Sequence, residues 1–388
     1  MKKSSDLGHV VPRLRIWRCL VIVMFTALMV GSGAPPVGSE THPSSGVSIV
    51  GADFSSLPWM EANHQPFSDA GVVAPAEQIL SVHGVNYSRI RIWVSSDSEA
   101  KDLDAALAVA SRSAAAGMKI LLDFHYSDTW AEPQNQRIPA AWENSNQEEL
   151  VNTVRTYTEE VVRAFADQGT PAAMVQIGNE VTNGMLWAWG KIDLPWGEYW
   201  EGFASLYKAG VAGARAATPD KPPLIAIHYF YEEGSGPFEF FDNVEEHGMP
   251  FDVIGLTYYP FWGGSLNELA RSMDRLATRY GKDILILETS YPWTVNDPAN
   301  CPVVANSIWR LPDRWIYPPT PDGQAAYFNG LRDVLRRVPD GHGLGFFVWE
   351  PAWLPSTTLA QGTCNKYANT TLFDWYGRAL PALVTVSE

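Results

Sequence analysis

Eight short apolar segments recur along the chain with helical patterns between them, and this alternation constrains the fold more than any other feature. The segments are nearly continuously apolar, which is typical of strands buried on both faces. In order they are VSIVGADF, YSRIRIWV, MKILLDFH, AMVQIGNE, PLIAIHYF, FDVIGLTYY, ILILE and LGFFVWE.

The stretches between these segments carry helix signals. A serine followed three residues later by a glutamate has the spacing of a capping box and predicts helix starts at Ser145 and Ser265. Pro321 predicts the first turn of a further helix, since proline is favoured at that position. Glycine favours the C-terminal end of a helix, and such glycines occur at Gly117, Gly169 and Gly281.

Strands that alternate with helices pair in parallel, because each crossover must return over the sheet. The order therefore predicts a closed (β/α)8 TIM barrel, an α/β fold in which residues 47–388 form a single domain. A doubly wound sheet is the main alternative. That fold usually carries a glycine-rich phosphate-binding turn after its first strand, and GADFSSLPW is not such a turn.

The N-terminus has the pattern of an export signal. A basic region precedes the apolar run CLVIVMFTALMV, and the small residues GSGA follow it. We expect a signal peptide over residues 1–34, a linker over 35–46 and a secreted, extracellular catalytic domain over 47–388. The apolar run is short for a membrane span, which favours a cleaved signal; an uncleaved anchor that begins near Ile16 is the alternative.

The charge of the chain limits its partners. The formal net charge is −15, and loss of residues 1–34 removes five basic residues and one acidic residue, which leaves −19. Such a surface disfavours nucleic acid and anionic membranes and suits an uncharged substrate. We expect a monomer, with no membrane association after signal cleavage. Cys301 and Cys364 remain in the exported chain, where two cysteines are expected to pair and join two late loops.

The residues at the ends of the eight segments form the candidate site, because active sites of such barrels lie at the C-terminal ends of the strands. Glu180 and Glu288 follow segments four and seven, on opposite sides of the barrel mouth. Glycoside hydrolysis requires such a pair, since one carboxyl protonates the departing oxygen while the other attacks the sugar carbon or activates water. A single glutamate at such a position could instead form an ion pair with a loop.

The strand-end motifs resemble those of the arabinogalactan endo-β-1,4-galactanases, which are retaining glycoside hydrolases with a (β/α)8 barrel. In order, the motifs are GADFSS, RIRIWV, LLDFHYSDTWAEP, QIGNEVTNGMLW, FDVIGLTYYPFWGG, LETSYPWT and FFVWEPAWLP. The resemblance covers about residues 49–383. It implies that Glu180 is the general acid/base, that Glu288 is the nucleophile, and that the enzyme cuts β-1,4-galactan or type I arabinogalactan within the chain.

The resemblance also implies roles for neighbouring residues. Asn179 is expected to bond the 2-hydroxyl of the sugar, Arg91 to keep Glu288 ionised, and Tyr258 to donate a hydrogen bond to the same carboxylate. The clan to which the family belongs often has a strained peptide after the strand-eight tryptophan, which suggests a cis bond between Trp349 and Glu350.

Two further groups of rim residues have open roles. One group either binds galactose hydroxyls or orients other side chains, and it comprises Asp53, His125, Asp128 and His228. The other group either stacks on sugar rings or packs the barrel, and it comprises Trp93, Trp293, Trp349 and Trp353.

We expect neither a metal nor a cofactor. Some bacterial relatives carry a calcium loop rich in Asp and His after strand seven, whereas the corresponding segment here has no closely spaced acidic cluster. Its isolated Asp297 and Asp313 are expected to be solvated.

Two alternatives to a galactanase stay open. One is another retaining β-glycanase of the same clan, acting on mannan or glucan with the same glutamate pair. The other is an inactive barrel that binds carbohydrate, which the presence of both glutamates disfavours.

Overall fold

The computed structural model describes residues 47–63, 65–95, 103–298, 301–355 and 365–386. The expected signal peptide and linker lie outside these residues, as does Cys364 of the expected disulfide. Within the described part of the chain, no helix combines the length and apolarity needed to cross a bilayer.

Eight parallel strands close into a barrel, which confirms the predicted fold. Each strand pairs with the next along the chain, and the first strand also pairs with the last, which closes the sheet. The strands are β1 (Ile49–Asp53), β2 (Tyr87–Ile92), β3 (Lys119–Phe124), β4 (Ala172–Ile177), β5 (Leu224–Phe230), β6 (Val253–Thr257), β7 (Asp283–Thr289) and β8 (Gly343–Val348).

Helices fill the connections between the strands. In chain order they are α1 (Leu57–Ala62), α2 (Ala76–Val82), α3 (Leu103–Ala115), α4 (Gln147–Asp167), α5 (Trp200–Ala217), α6 (Gly236–Glu246), α7 (Pro260–Gly263), α8 (Leu266–Tyr280), α9 (Pro321–Arg336) and α10 (Pro381–Thr385). Two small hairpins pair Ser68–Asp69 with Val72–Val73 and Asp193–Leu194 with Gly197–Glu198.

Two helix starts test the capping-box predictions. At α8, Ser265 and Glu268 form the predicted box, with each side chain bonded to the other's backbone N–H. At α4 the prediction is wrong by one residue, because Asn146 and Glu149 form the box in place of Ser145 and Glu148. Asparagine caps a helix at least as well as serine, so the two candidate registers are close in energy.

The strands bury apolar side chains on both faces. Outward-facing residues pack under the helices, whereas an inner cluster that includes Leu121, Met174, Leu285 and Phe347 fills the barrel. Gly51 leaves room for this cluster, because a Cβ there would lie 2.2 Å from the Phe347 ring.

Towards the C-terminal ends of the strands, the barrel interior becomes polar. Side chains two residues apart in a strand share a face. Inward-facing Leu121 and Met174 are therefore followed by Asp123 and Gln176, which are both fully buried. This polar layer lies between the apolar interior and the mouth of the barrel, and it supports the candidate site.

Candidate active site

A cleft of about 950 Å³ opens at the C-terminal end of the barrel, where the sequence predicts the active site. Asn179, Glu180 and Glu288 line it together with Ala131 and Glu132. Its aromatic lining comprises Trp130, Phe230, Tyr259, Phe261, Trp262, Trp349, Trp353 and Tyr367. Aromatic walls around two carboxyl groups suit a ligand with flat apolar faces and many hydroxyls.

Glu180 and Glu288 approach each other across this cleft. A carboxylate oxygen of each lies within 4.8 Å of the other, and both residues are largely buried. Glu180 follows β4 with φ 47° and ψ 54°, in the left-handed region that is unfavourable for a side chain other than glycine. Such strain is concentrated at functional sites, where the surrounding structure maintains it.

Two donors hold the Glu288 carboxylate. Arg89 Nη1 lies 2.9 Å from Oε1, and the Tyr259 hydroxyl donates a hydrogen bond to Oε2 at 3.1 Å. Burial raises the pKa of Glu288 to about 7, while the Arg89 guanidinium opposes that rise. Glu288 can therefore lose its proton near neutral pH although it is buried.

Glu180 has a neutral hydrogen-bonding environment. Thr257 Oγ1 donates to Glu180 Oε1 at 2.7 Å, and His228 Nε2 lies 2.8 Å from the same threonine oxygen. The Glu180 backbone N–H donates to His228 Nδ1 at 3.2 Å, so the imidazole proton belongs on Nε2. Burial, followed by the charge of Glu288, raises the pKa of Glu180 well above its ordinary value. Because Arg89 contacts Glu288 whereas the neutral Thr257 contacts Glu180, Glu180 is the carboxyl of the pair that favours its protonated form.

Arg89 connects the catalytic pair to the polar layer. Its fully buried guanidinium also contacts Asp53 at 3.0 Å and Asp123 at 2.8 Å. Burial lowers the pKa of Arg89, but Asp123, Glu288 and Asp53 outweigh that effect, so the pKa is raised overall. Burial likewise raises the pKa of Asp123, yet Arg89 and His125 bring it down to about 2. Arg89 therefore remains positively charged where it contacts Glu288.

Arg91 occupies a different position from the one expected. Its guanidinium lies 4.7 Å from the ring centroids of both Trp130 and Trp349, and Nη2 bonds Glu350 Oε1. The role expected of Arg91, to keep Glu288 ionised, belongs mainly to Arg89, which contacts the carboxylate directly. Arg91 lowers the pKa of Glu288 only as a more distant charge.

Two other expected features are also wrong. The Tyr258 hydroxyl donates to the Gly264 carbonyl at 2.8 Å, and its neighbour Tyr259 reaches Glu288 in its place. Among the described residues the cis peptide bond joins Trp187 to Ala188, not Trp349 to Glu350.

The two loop aspartates after β7 each accept a backbone N–H, although Asp297 is exposed as expected and Asp313 is half-buried. Asp297 Oδ1 accepts the Val303 N–H at 2.9 Å, and Asp313 Oδ2 accepts the Leu266 N–H at 2.9 Å. Both carboxylates therefore hold loop backbone.

The structure separates the rim residues with open roles. Asp53, His125 and His228 are buried below the cleft, and each contacts charged or polar side chains there. Asp128 joins two loops by accepting the N–H groups of Ser95 and Ala140. These contacts favour orienting roles for all four residues.

The four tryptophans of the second group divide into two that line the cleft and two that pack elsewhere. Trp349 and Trp353 line the cleft, where a sugar ring can reach them. Trp93 is buried and stacks on His125 at 4.8 Å between ring centroids. Trp293 lies outside the cleft lining and packs on Trp375 at 5.2 Å.

Asn179 is placed to contact substrate. Its Oδ1 accepts from Arg89 Nη2 at 2.9 Å, and its Nδ2 donates to the Ala131 carbonyl at 2.8 Å. An amide nitrogen carries two hydrogens, so Nδ2 keeps one donor for a ligand in the cleft.

Several residues of the site were missed by the sequence analysis. Arg89 shares its strand face with Arg91, and Gln176 shares its face with Met174, so strand alternation could have indicated both. Thr257 and Tyr259 flank Tyr258 at the end of β6, where the same alternation applies. The cleft side chains Trp130 and Tyr367 lie in loops and Trp262 lies in the four-residue helix α7, where periodicity carries no signal.

The described residues include one group that could hold a metal ion, and it coincides with the catalytic pair. Ligand atoms of Glu180, His228 and Glu288 lie within 4.8 Å of one another. Both nitrogens of the His228 ring already contact protein groups. The arrangement therefore suits catalysis by two carboxyl groups better than metal binding.

Two carboxyls in different environments, one held by a cation and one by a neutral hydroxyl, set in an aromatic cleft on a parallel barrel, define a glycosidase. Residues 49–386 match the model of glycosyl hydrolase family 53, and the chain belongs to that family. This match confirms the family that the strand-end motifs indicate.

Individual relatives match over most of their length. The probable arabinogalactan endo-β-1,4-galactanase A of Neosartorya fischeri is 34% identical over 344 residues, which cover 86% of this chain and 90% of the relative. The family 53 catalytic domain of Ignisphaera aggregans superposes with a TM-score of 0.81 at 32% identity, covering 90% of this chain and 98% of that domain. A fungal β-1,4-galactanase superposes with a TM-score of 0.77 at 30% identity, covering 88% of this chain and 99% of the galactanase chain.

Proposed function

We propose that this chain is a secreted endo-β-1,4-galactanase that cleaves galactan or type I arabinogalactan with retention of anomeric configuration. The observation that carries the proposal is the approach of Glu180 and Glu288 to within 4.8 Å, oxygen to oxygen. Retaining glycosidases hold their carboxyl groups about 5–5.5 Å apart, whereas inverting enzymes need about 6.5–9.5 Å to admit a water. The galactanase names of the relatives support the substrate.

In the first step, Glu180 donates its proton to the glycosidic oxygen while a Glu288 oxygen attacks the anomeric carbon. The C–O bond to the leaving chain breaks as the glycosyl–Glu288 ester forms. Arg89 and Tyr259 orient the attacking carboxylate through the contacts described above. Because its pKa is raised, the Glu180 carboxyl can still carry the proton that it donates when Glu288 is ionised.

In the second step, Glu180 acts as a base. Esterification removes the negative charge of Glu288, and that charge helps to raise the pKa of Glu180. The pKa of Glu180 therefore falls once the ester forms. The Glu180 carboxylate then accepts a proton from water, the water oxygen attacks the anomeric carbon, and Glu288 leaves as a carboxylate.

The shape of the cleft supports cleavage within a chain. Its lining residues come from the C-terminal ends of β5 and β7 and from the segments that follow β3 to β8, so both sides of the catalytic pair are bordered by loops. Trp349 and Trp353 present aromatic surface to a sugar, and Asn179 presents an amide donor that suits the 2-hydroxyl. A contact with this hydroxyl strengthens as the oxocarbenium ion develops.

Product analysis on linear β-1,4-galactan tests the proposal, with mannan and a soluble cellulose derivative as comparison substrates. We expect short galacto-oligosaccharides from galactan, newly formed β-anomers in early proton NMR spectra, and little release from the other two polymers. Equal activity on all three polymers would reject the substrate assignment. Early α-anomers would reject retention.

Two variants test the separate roles of the glutamates. Glu288→Ala should abolish turnover, and added azide should restore the release of an α-galactosyl azide from an activated aryl galactoside. Glu180→Ala should retain turnover of aryl substrates with good leaving groups and form a β-galactosyl azide. The opposite pattern of azide products would show that Glu180 is the nucleophile and Glu288 the acid/base. If both variants and the wild type bind galactan without cleaving it, the carbohydrate-binding alternative holds.

We also propose that the chain is secreted and that Cys301 and Cys364 form a disulfide bond. Cys301 is buried, and its Sγ lies 3.6 Å from the carbonyl oxygen of Asn365, the residue that follows Cys364. This position supports a Cys301–Cys364 bond. Mass spectrometry of the protein from culture medium tests both points. The expected result is an N-terminus after the signal and a linked peptide pair, and two free thiols would disprove the bond.

A further inference from the structure

Two exposed tryptophans lie in the loop between β7 and α9, away from the catalytic pair. Trp309 is 70% exposed and Trp315 is 78% exposed. The guanidinium of Arg314 lies over both rings, 4.6 Å from the Trp309 centroid and 5.5 Å from the Trp315 centroid. We refer to Trp309, Arg314 and Trp315 as the outer aromatic surface.

Hydrogen bonds hold the loop that carries this surface. The Asp313 carbonyl accepts the Ile316 and Tyr317 N–H groups at 2.9 and 2.8 Å. Arg314 Nη1 donates to the Leu311 carbonyl at 3.0 Å. Asp313 also anchors the loop to the first residue of α8. The two rings are therefore pre-positioned, which lowers the entropy lost on binding.

The outer aromatic surface continues from the wall of the cleft. Helix α7, which carries the cleft residue Trp262, packs against the segment Ile308–Arg310. Val304, in the same loop as Trp309, also lines the cleft. The cleft wall at Trp262 and Val304 thus adjoins the segment that carries Trp309.

We propose that the outer aromatic surface is a remote binding site for a galactan chain that extends out of the catalytic cleft. Exposed tryptophans suit sugar rings, whose flat C–H faces stack on indole, and Arg314 adds donors for hydroxyls. A polysaccharide is favoured over an anionic partner because the chain as a whole carries a formal charge of −15. This inference rests on the proposed function and identifies where its substrate binds beyond the cleft.

The double variant Trp309→Ala/Trp315→Ala tests the site. It should lower kcat/KM on long galactan by about fivefold or more, while kcat/KM on the short substrate β-1,4-galactotetraose stays unchanged. In a Glu180→Gln background, the same double variant should be retarded less than its parent in gels that contain galactan, with the cleft still binding the polymer. Trp309→Phe/Trp315→Phe should retain most of the binding, because phenyl rings also stack on sugars.

Tyr376→Ala is the matched control. Tyr376 is 75% exposed and has the Arg378 guanidinium 5.1 Å from its ring, so it reproduces the chemistry outside the cleft lining. Its removal should change neither measurement. An equal loss for Tyr376→Ala would show a non-specific effect of exposed aromatic residues and would overturn the site.

Other outcomes also decide the question. Equal losses on galactan and galactotetraose, or no loss on either, would overturn the proposal. Light scattering that showed a wild-type dimer become monomeric in the double variant would assign the surface to self-association instead. If the wild type cleaves neither substrate, the proposed function fails, and the gel retardation still shows whether galactan binds at these tryptophans.

Discussion

Tyr258 and Tyr259 are adjacent in sequence, yet only Tyr259 donates its hydroxyl hydrogen to Glu288. Tyr259→Phe removes a donor from the carboxylate and leaves the ring. Because a donor stabilises the ionised form, its loss should raise the pKa of Glu288 and move the acid limb of the kcat/KM profile to higher pH. We expect a loss of about tenfold in kcat, which corresponds to about 1.4 kcal/mol.

Tyr258→Phe is the control for this prediction, since its hydroxyl binds the Gly264 carbonyl. It should lower stability slightly and leave the pH profile of kcat/KM in place. Both profiles can be measured on a soluble aryl galactoside. A shifted acid limb for Tyr258→Phe, with none for Tyr259→Phe, would contradict the hydrogen bonding described here.

At the scale of single residues, the sequence predicts which side chains reach the barrel mouth better than what each side chain touches. Glu180, Glu288 and Asn179 line the cleft as predicted, because an apolar strand that ends in polar residues places them at its C-terminal end. Arg89 and Arg91 share one strand face, and alternation assigns the face but not the depth. Arg89, whose guanidinium lies deeper in the barrel, binds the nucleophile Glu288. How deep each side chain lies depends on the closure of the barrel.

At the scale of elements, the start of α4 allows a direct comparison of two neighbouring residues. Asn146 Oδ1 accepts the Glu149 N–H at 3.0 Å, and Glu149 returns a bond to the Asn146 N–H. Asn146→Ala should lower the free energy of unfolding by about 1 kcal/mol, which is typical for a lost helix cap. Urea denaturation followed by circular dichroism measures this change.

Ser145→Ala tests the alternative helix start predicted from the sequence. It should change the free energy of unfolding by less than about 0.5 kcal/mol, because Ser145 lies outside the observed capping box. A larger effect at Ser145 than at Asn146 would place the start of the helix one residue earlier.

Strand order was predictable because nearly continuous apolar segments alternate with helical patterns along the chain, but strand register was not. The pairing of β6 with β7 shifts between Leu256 and Thr257, so that Thr257 pairs with Glu288. Thr257, which donates a hydrogen bond to Glu180, thus becomes a neighbour of the nucleophile Glu288 at an irregularity in the sheet. Such a shift depends on packing around the barrel, which local sequence patterns do not describe.

At the scale of the whole molecule, the barrel mouth holds more acidic than basic groups. Five carboxyls face two guanidiniums, those of Arg89 and Arg91, and the carboxyls are Asp53, Asp123, Glu180, Glu288 and Glu350. Burial raises the pKa of Glu350 to about 8, against the opposing charge of Arg91. Three glutamates with raised pKa values therefore bind protons more tightly in the folded state than in the unfolded chain.

This proton uptake couples stability to pH. A carboxyl whose pKa is raised on folding contributes stability at low pH, and that contribution is lost as the pH rises towards the folded pKa. Burial lowers the pKa values of His125 and His228, which has the opposite effect below about pH 6.5. Between about pH 6.5 and 8 the glutamates dominate, so the free energy of unfolding should fall with rising pH.

We expect the melting temperature to fall by about 2–5 °C between pH 6.5 and 8. Glu180→Gln keeps the shape of the side chain but cannot bind the proton, so its melting temperature should fall less over the same interval. Glu148→Gln, on the exposed side of α4, serves as the control and should follow the wild type. Scanning calorimetry in buffers of matched ionic strength measures all three curves. A wild-type curve that rises through this interval, or a Glu180→Gln curve as steep as the wild type, would contradict the proton assignment on which the acid/base role of Glu180 rests.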